Sequence, residues 1–153
     1  MVNIQELVHN YVLNVSLLAW LTAQILKTLY TYITTKKLQL ERLVGAGGMP
    51  SAHSATVCAL FIAIARKVGF TSPLFAVAFV LAVVVMYDAM GVRRAAGEQA
   101  KVLNKIVQER NVEDEDDESP TDTPLKEFLG HTPLQVLGGA LLGILIAIVI
   151  PVS

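Results

Sequence analysis

Pro50, Ser51, Ala52 and His53 stand where a glycine-rich stretch, Gly45-Ala46-Gly47-Gly48-Met49, runs into an apolar segment. A helix N-terminus offers free backbone N–H groups and the positive end of the macrodipole, which together hold anions. Gly47 and Gly48 let backbone approach such an anion closely. Ser51 suits the N-cap and His53 places an imidazole on the first turn. A second imidazole, His131, follows Gly130 and precedes Thr132-Pro133, again at a helix start. Imidazole can act as proton donor or nucleophile near neutral pH, so two at one depth read as an acid–nucleophile pair. The chemistry this predicts is phosphate binding and transfer.

The elements carrying these groups are built for lipid. Of 153 residues, 54% are hydrophobic, and they gather in long runs rather than in soluble patterns. A span needs ~20 mostly apolar residues. Residues 12–30, 73–90 and 134–152 meet that need, and 53–66 is a shorter apolar run. The expectation is a single all-α integral membrane domain of about four transmembrane helices. Residues 92–109 have helical spacing with a mixed polar face, predicting a cytosolic or interfacial extension of the third helix. Residues 1–10 read as a short interfacial helix or a frayed end. No basic region precedes a short apolar run and a cleavage site, so no cleaved signal is expected. Residues 111–123, dominated by Asp and Glu, cannot bury apolar area and read as a mobile, solvated loop.

Basic residues set the orientation. With four spans, both termini and the 66–72 turn share one side, which holds Arg66 and Lys67. The other side holds Lys36, Lys37, Arg42, Arg93, Arg94, Lys101, Lys105, Arg110 and Lys126. Lys and Arg accumulate on the cytoplasmic side, so both termini are expected outside and the two long connections in the cytosol. Ser51, His53, Asp88, Arg93, Arg94 and His131 then converge on that cytosolic face.

Other polar residues fit the same pocket or bland alternatives. Lys27, with Gln24 three residues before it, either snorkels to the interface or forms a polar stripe facing the site. Asp88 with Arg93 and Arg94 is either an interfacial charge cluster or a phosphate grip in which Asp88 orients a histidine. His9 lacks such surroundings and reads as solvated. Cys58, the one cysteine, reads as a buried inert thiol. Gly139 and Gly143 form a GxxxG pair and Ala55, Ala59 and Ala63 repeat at four-residue spacing; both patterns serve either packing within the chain or a homodimer. No metal site, cofactor or nucleic-acid partner is expected.

GGMPSAHSA, YDAMGVRRAAGEQAKVLN and LGHTPLQVLGGALLG, in that order, resemble the divergent branch of the type-2 phosphatidic acid phosphatase superfamily, which also includes vanadium-dependent haloperoxidases. The likeness runs from about Gln24 to Gly143. The superfamily's Pro-Ser-Gly-His motif matches Pro50, Ser51, Ala52 and His53, with alanine for glycine. The resemblance implies that Ser51 and nearby amides bind phosphate, that His53 protonates the leaving oxygen, and that His131 is a nucleophile forming a phosphohistidine. The family pattern places aspartate four residues after that histidine and an arginine before it. Here Gln135 takes the aspartate's place and no arginine shortly precedes His131. Lys27 and Arg42 match the family's first motif only with altered spacing. Asp88 is expected to replace the missing carboxylate, and Arg93 or Arg94 the missing arginine. The superfamily usually has six helices, so four spans would be a reduced core. The implied function is hydrolysis of a membrane lipid phosphomonoester, of the phosphatidylglycerol phosphate or phosphatidate type. The alternative is a lipid-phosphate or anion-binding membrane protein without turnover.

Overall fold

The computed structural model describes residues 4–36, 48–113, 125 and 130–152. Gly47, Arg42 and the acidic run from residue 114 onward lie outside the described residues. Among the described residues six helices follow in order: α1 (Ile4–Val8), α2 (Tyr11–Thr35), α3 (Ala52–Val68), α4 (Pro73–Met90), α5 (Val92–Glu113) and α6 (Pro133–Val149).

Local chemistry starts and stops each long helix. The Asn10 side chain accepts from Leu13 N–H at 3.1 Å to open α2. Ser51 and Ser72 cap α3 and α4 in the same way, and Pro73 occupies the first turn of α4. Gly69, at φ 87°, ends α3 in a backbone conformation that glycine adopts without steric cost. The first span is longer than the apolar run predicts. It continues past Tyr30 through Thr31, Thr34 and Thr35, whose hydroxyls donate to carbonyls one turn back and so need no water inside the lipid-facing helix. The extension after α4 likewise reaches Glu113, past residue 109.

Alanine, glycine and serine fill the interior. Ala19, Ala23, Ala55, Ala59, Ala63, Ala82 and Ala147 are completely buried, whereas Leu21, Ile25, Val80, Val84, Leu141 and Leu145 point outward. A soluble protein would reverse this distribution, because water penalises exposed leucine and lipid does not. α2 and α4 are long and apolar enough to cross a membrane, and α6 is a shorter apolar helix.

α3 is the central helix and packs against α2, α4 and α6. Its contact with α6 is the closest. A Cβ on Gly139 would fall 2.2 Å from the Ser51 carbonyl oxygen, and one on Gly143 would fall 2.1 Å from that of Ala55. Gly139 and Gly143 therefore serve packing of α6 against α3. Far from both histidines, the Arg66 guanidinium donates to the carbonyls of Ala147 and Ile150 and to the Tyr11 hydroxyl. This cation caps the C-terminal end of α6, where the dipole is negative, and ties α2, α3 and α6 together.

Candidate functional site

At the opposite end of the bundle the N-termini of α3 and α6 lie side by side. Ser51 N–H donates to the Gln135 carbonyl across the two helices at 3.0 Å. His131 is held just before α6 by its backbone: its N–H donates to the Ala89 carbonyl near the end of α4 at 2.9 Å. Gly130, at φ 86°, makes that docking possible, since a Cβ there would fall 2.4 Å from the backbone nitrogen of Arg94. The histidine is thus clamped between two helix ends, with only 4% of its surface exposed.

The Gln135 side chain settles which ring nitrogen carries the proton. Thr132 and Gln135 form a capping box, in which the Gln135 amide accepts from Thr132 N–H at 3.1 Å. A backbone N–H only donates, so the amide atom it meets is the oxygen. That same oxygen lies 3.2 Å from His131 Nδ1, which must therefore be the protonated nitrogen. Nε2 is left with its lone pair. It is buried and has no hydrogen-bond partner among the described residues.

His53 faces this ring. The two imidazole centroids are 5.9 Å apart and their planes cross at 63°. A phosphorus about 3–3.5 Å from one ring nitrogen can present an oxygen to the other imidazole. Ser51, fully buried, receives a hydrogen bond from the Ser54 hydroxyl at 3.1 Å while capping α3. Ser54 is a buried polar member of this cluster that motif reading passed over. Its only signal was a hydroxyl one turn after the N-cap.

α2 contributes Lys27 and Gln24, only 2% and 6% exposed. They lie inside the bundle rather than snorkelling to its surface. Gly48 rests on the lysine stem, where a Cβ would lie 3.0 Å from Lys27 Cγ and Cδ. Gln24 Oε1 is buried with no partner among the described residues. Lys27 and Arg93 act electrostatically on both imidazoles, whereas Arg94 does not figure in either environment. Arg94 instead supplies the backbone on which Gly130 packs.

Asp88 differs from expectation. Its carboxylate receives the Arg93 guanidinium Nε–H at 2.6 Å, and Gln135 holds the imidazole that Asp88 was expected to orient. The reason is reach: Asp88 and Arg93 flank the Gly91 break between α4 and α5, whereas Gln135 lies one turn from His131. Asp88 bears on the site through Arg93 and through its charge on the His53 ring. Burial holds the His131 ring below the usual imidazole pKa. The hydrogen bond to Gln135 opposes that shift, and the charges of His53, Lys27 and Arg93 reinforce it. Among the described residues, no group of three or more His, Cys, Asp or Glu side chains gathers to hold a metal ion.

A lipid-facing helical bundle with two imidazoles, a buried lysine and paired helix N-termini at one end defines a membrane protein with a polar cluster inside that end. The chain belongs to the divergent PAP2 family, whose model matches residues 8–146. It is 44% identical over 152 residues to an uncharacterized membrane protein, YuiD, of Bacillus subtilis (strain 168), covering 95% of this chain and 96% of that protein. No solved structure matches.

Proposed function

We propose that the chain hydrolyses a phosphomonoester on a membrane lipid, of the phosphatidylglycerol phosphate or phosphatidate type, at a pocket open to the cytosol. The observation that carries this reading is the buried, unprotonated Nε2 of His131 beside the His53 ring. In the first step Nε2 attacks phosphorus in line. The phosphorus–oxygen bond to the lipid alcohol breaks, and His53 gives that oxygen a proton. Lys27, Arg93, the loop amide of Gly48 and the N-terminus of α3 around Ser51 take up the charge of the transferring phosphoryl group. Water then attacks the phosphohistidine, His53 accepts its proton, and inorganic phosphate leaves with His131 restored. The cytosolic side follows from the excess of Lys and Arg in the two long connections.

Phosphate release from detergent-solubilised protein tests the proposal, with a panel of lipid phosphates and with chelator present. Wild type should release phosphate and form an acid-labile phosphoprotein, and His131→Ala should do neither. Equal release by His131→Ala, or loss of release on chelation, would refute it. A second reading has one observation in its favour: Gln135 is neutral and supports an imidazolium less well than a carboxylate does. Lipid-phosphate binding that depends on Lys27 and Arg93, without release from any substrate, would select that non-catalytic role.

A further inference from the structure

α5 leaves the bundle with a large apolar face uncovered. At 100° per residue Val92, Val102, Leu103, Ile106 and Val107 fall on one arc, and all five are exposed, the first two by 66% and 60%. The opposite arc carries Arg94, Glu98, Lys101, Lys105 and Glu109. Lys101 pairs with Glu98 at 3.3 Å and Lys105 with Glu109 at 3.7 Å, so these charges partner one another along the helix. Among the described residues, the rest of the protein meets α5 on neither arc. It meets the edge between them, where Gly97 and Ala100 are buried and the Asn104 amide pairs with both the N–H and the C=O of Leu125 at 2.9 Å.

Length decides what lies on the uncovered arc. α4 has 18 residues, about 27 Å at 1.5 Å per residue, which already approaches the ~30 Å hydrocarbon core. The chain breaks helix at Gly91 and begins α5 at once, so α5 starts at a membrane surface. Its 22 residues would reach about 33 Å into water if they continued outward, carrying the apolar arc with them. A helix with one apolar face and one charged face is satisfied instead along the boundary between headgroups and acyl chains.

We propose that α5 lies in the plane of the bilayer that α4 spans, with Val102, Leu103 and Ile106 among the upper acyl chains and Lys101 and Lys105 in water. The bilayer interface is therefore the occupant of this face. Because Arg93 is on the first turn of α5, the same arrangement fixes the depth of the histidine pocket at the level of lipid headgroups. The inference rests on the exposed face and the helix lengths alone, independently of catalysis.

The test uses the full chain carrying Cys58→Ala, reconstituted in phosphatidylcholine vesicles, with one cysteine at a time introduced on exposed positions of α5. An environment-sensitive fluorophore at Leu103→Cys or Ile106→Cys should be quenched several-fold more by nitroxide on the acyl chain than by aqueous iodide. At Lys101→Cys or Lys105→Cys the ratio should reverse. Equal access of iodide to all four positions would overturn the proposal, because α5 would then stand in water. Shielding of Leu103→Cys from both quenchers, with dipolar coupling between labels on different chains, would also overturn it by making the occupant a second copy.

Discussion

Replacing Gly139 with alanine tests the α3–α6 seam and the site it carries in a single step. The added Cβ would sit 2.2 Å from the Ser51 carbonyl oxygen, 3.0 Å from its carbon and 3.1 Å from its Cβ. Ordinary contact begins near 3.4 Å, so the helices must part by roughly 1 Å. Backbone and a fully buried side chain form the obstacle, and neither can swing aside. Overpacking of this kind costs about 1–3 kcal/mol. The Ser51 N–H to Gln135 carbonyl bond, 3.0 Å long, spans the same gap and would stretch, for about 1 kcal/mol more. For a chain of this size that total lowers the melting midpoint by about 5–15 °C. The displacement also carries His131 and Gln135 away from His53, and a misplacement near 1 Å costs about 10²-fold in rate. Thermal unfolding in detergent and phosphate release measure the two effects on one sample. Gly143→Ala, which meets the Ala55 carbonyl one turn further along, should destabilise similarly while disturbing the histidines less. A Gly139→Ala protein that melts within about 1 °C of wild type would refute the packing argument. So would one that keeps its midpoint and changes only its oligomeric state.

Gln135→Leu removes the acceptor that fixes the Nδ1–H tautomer and should slow phosphate release by about 10²-fold; losing its half of the capping box should cost about 1 kcal/mol of stability besides. Burial lowers the His131 pKa, so the acid limb of kcat/KM should fall below the ordinary imidazole value of about 6.5. The linked stability contribution is complete above that value and is lost as pH drops through the lowered one; melting midpoints across acid pH follow it. Arg66→Ala frees the C-terminal carbonyls of α6 and should cost about 2 kcal/mol of stability. Phosphate release measured well below the melting midpoint should stay unchanged, because Arg66 lies at the other end of the bundle. Asp88→Asn loosens Arg93 and should raise KM for the lipid phosphate several-fold more than it lowers kcat.

Much of the fold was legible because its signals are local. A serine before an apolar run, proline in the first turn and glycine after the last turn mark helix ends wherever they occur. The cap at Ser51 was readable on that basis. Convergence of distant polar groups was also legible, since alternating helices return every second end to one side. Partner choice within that end was not. Asp88 and Arg93 meet across a helix break whose geometry no periodicity encodes, and Gln135 reaches His131 because a capping box had already turned its amide inward. Arg66 entered the sequence reading only as a charge count. Its role depends on the α6 carbonyls 81 and 84 residues away. GxxxG specifies a close approach and leaves the partner open; the partner here is α3.

The two ends of the bundle solve opposite electrostatic problems with the same helices. α3 and α6 run parallel, so their dipoles add rather than cancel. At the C-terminal end of α6, Arg66 supplies the positive charge that the exposed carbonyls need, and it does so permanently, with a protein side chain. At the other end the corresponding need is for negative charge, and the protein adds cations instead. Lys27 is buried there, Arg93 stands at the rim, and Asp88, the carboxylate that acts on the His53 ring, is already engaged by Arg93. A structural helix end would place an acidic residue in the first turn. Neither α3 nor α6 has one, although each carries a well-formed neutral cap. On the proposed reading, a fold that neutralises one pair of dipole ends and reinforces the other favours an anion from outside. The lone pair on His131 Nε2 is what separates a site for holding that anion from one that reacts with it.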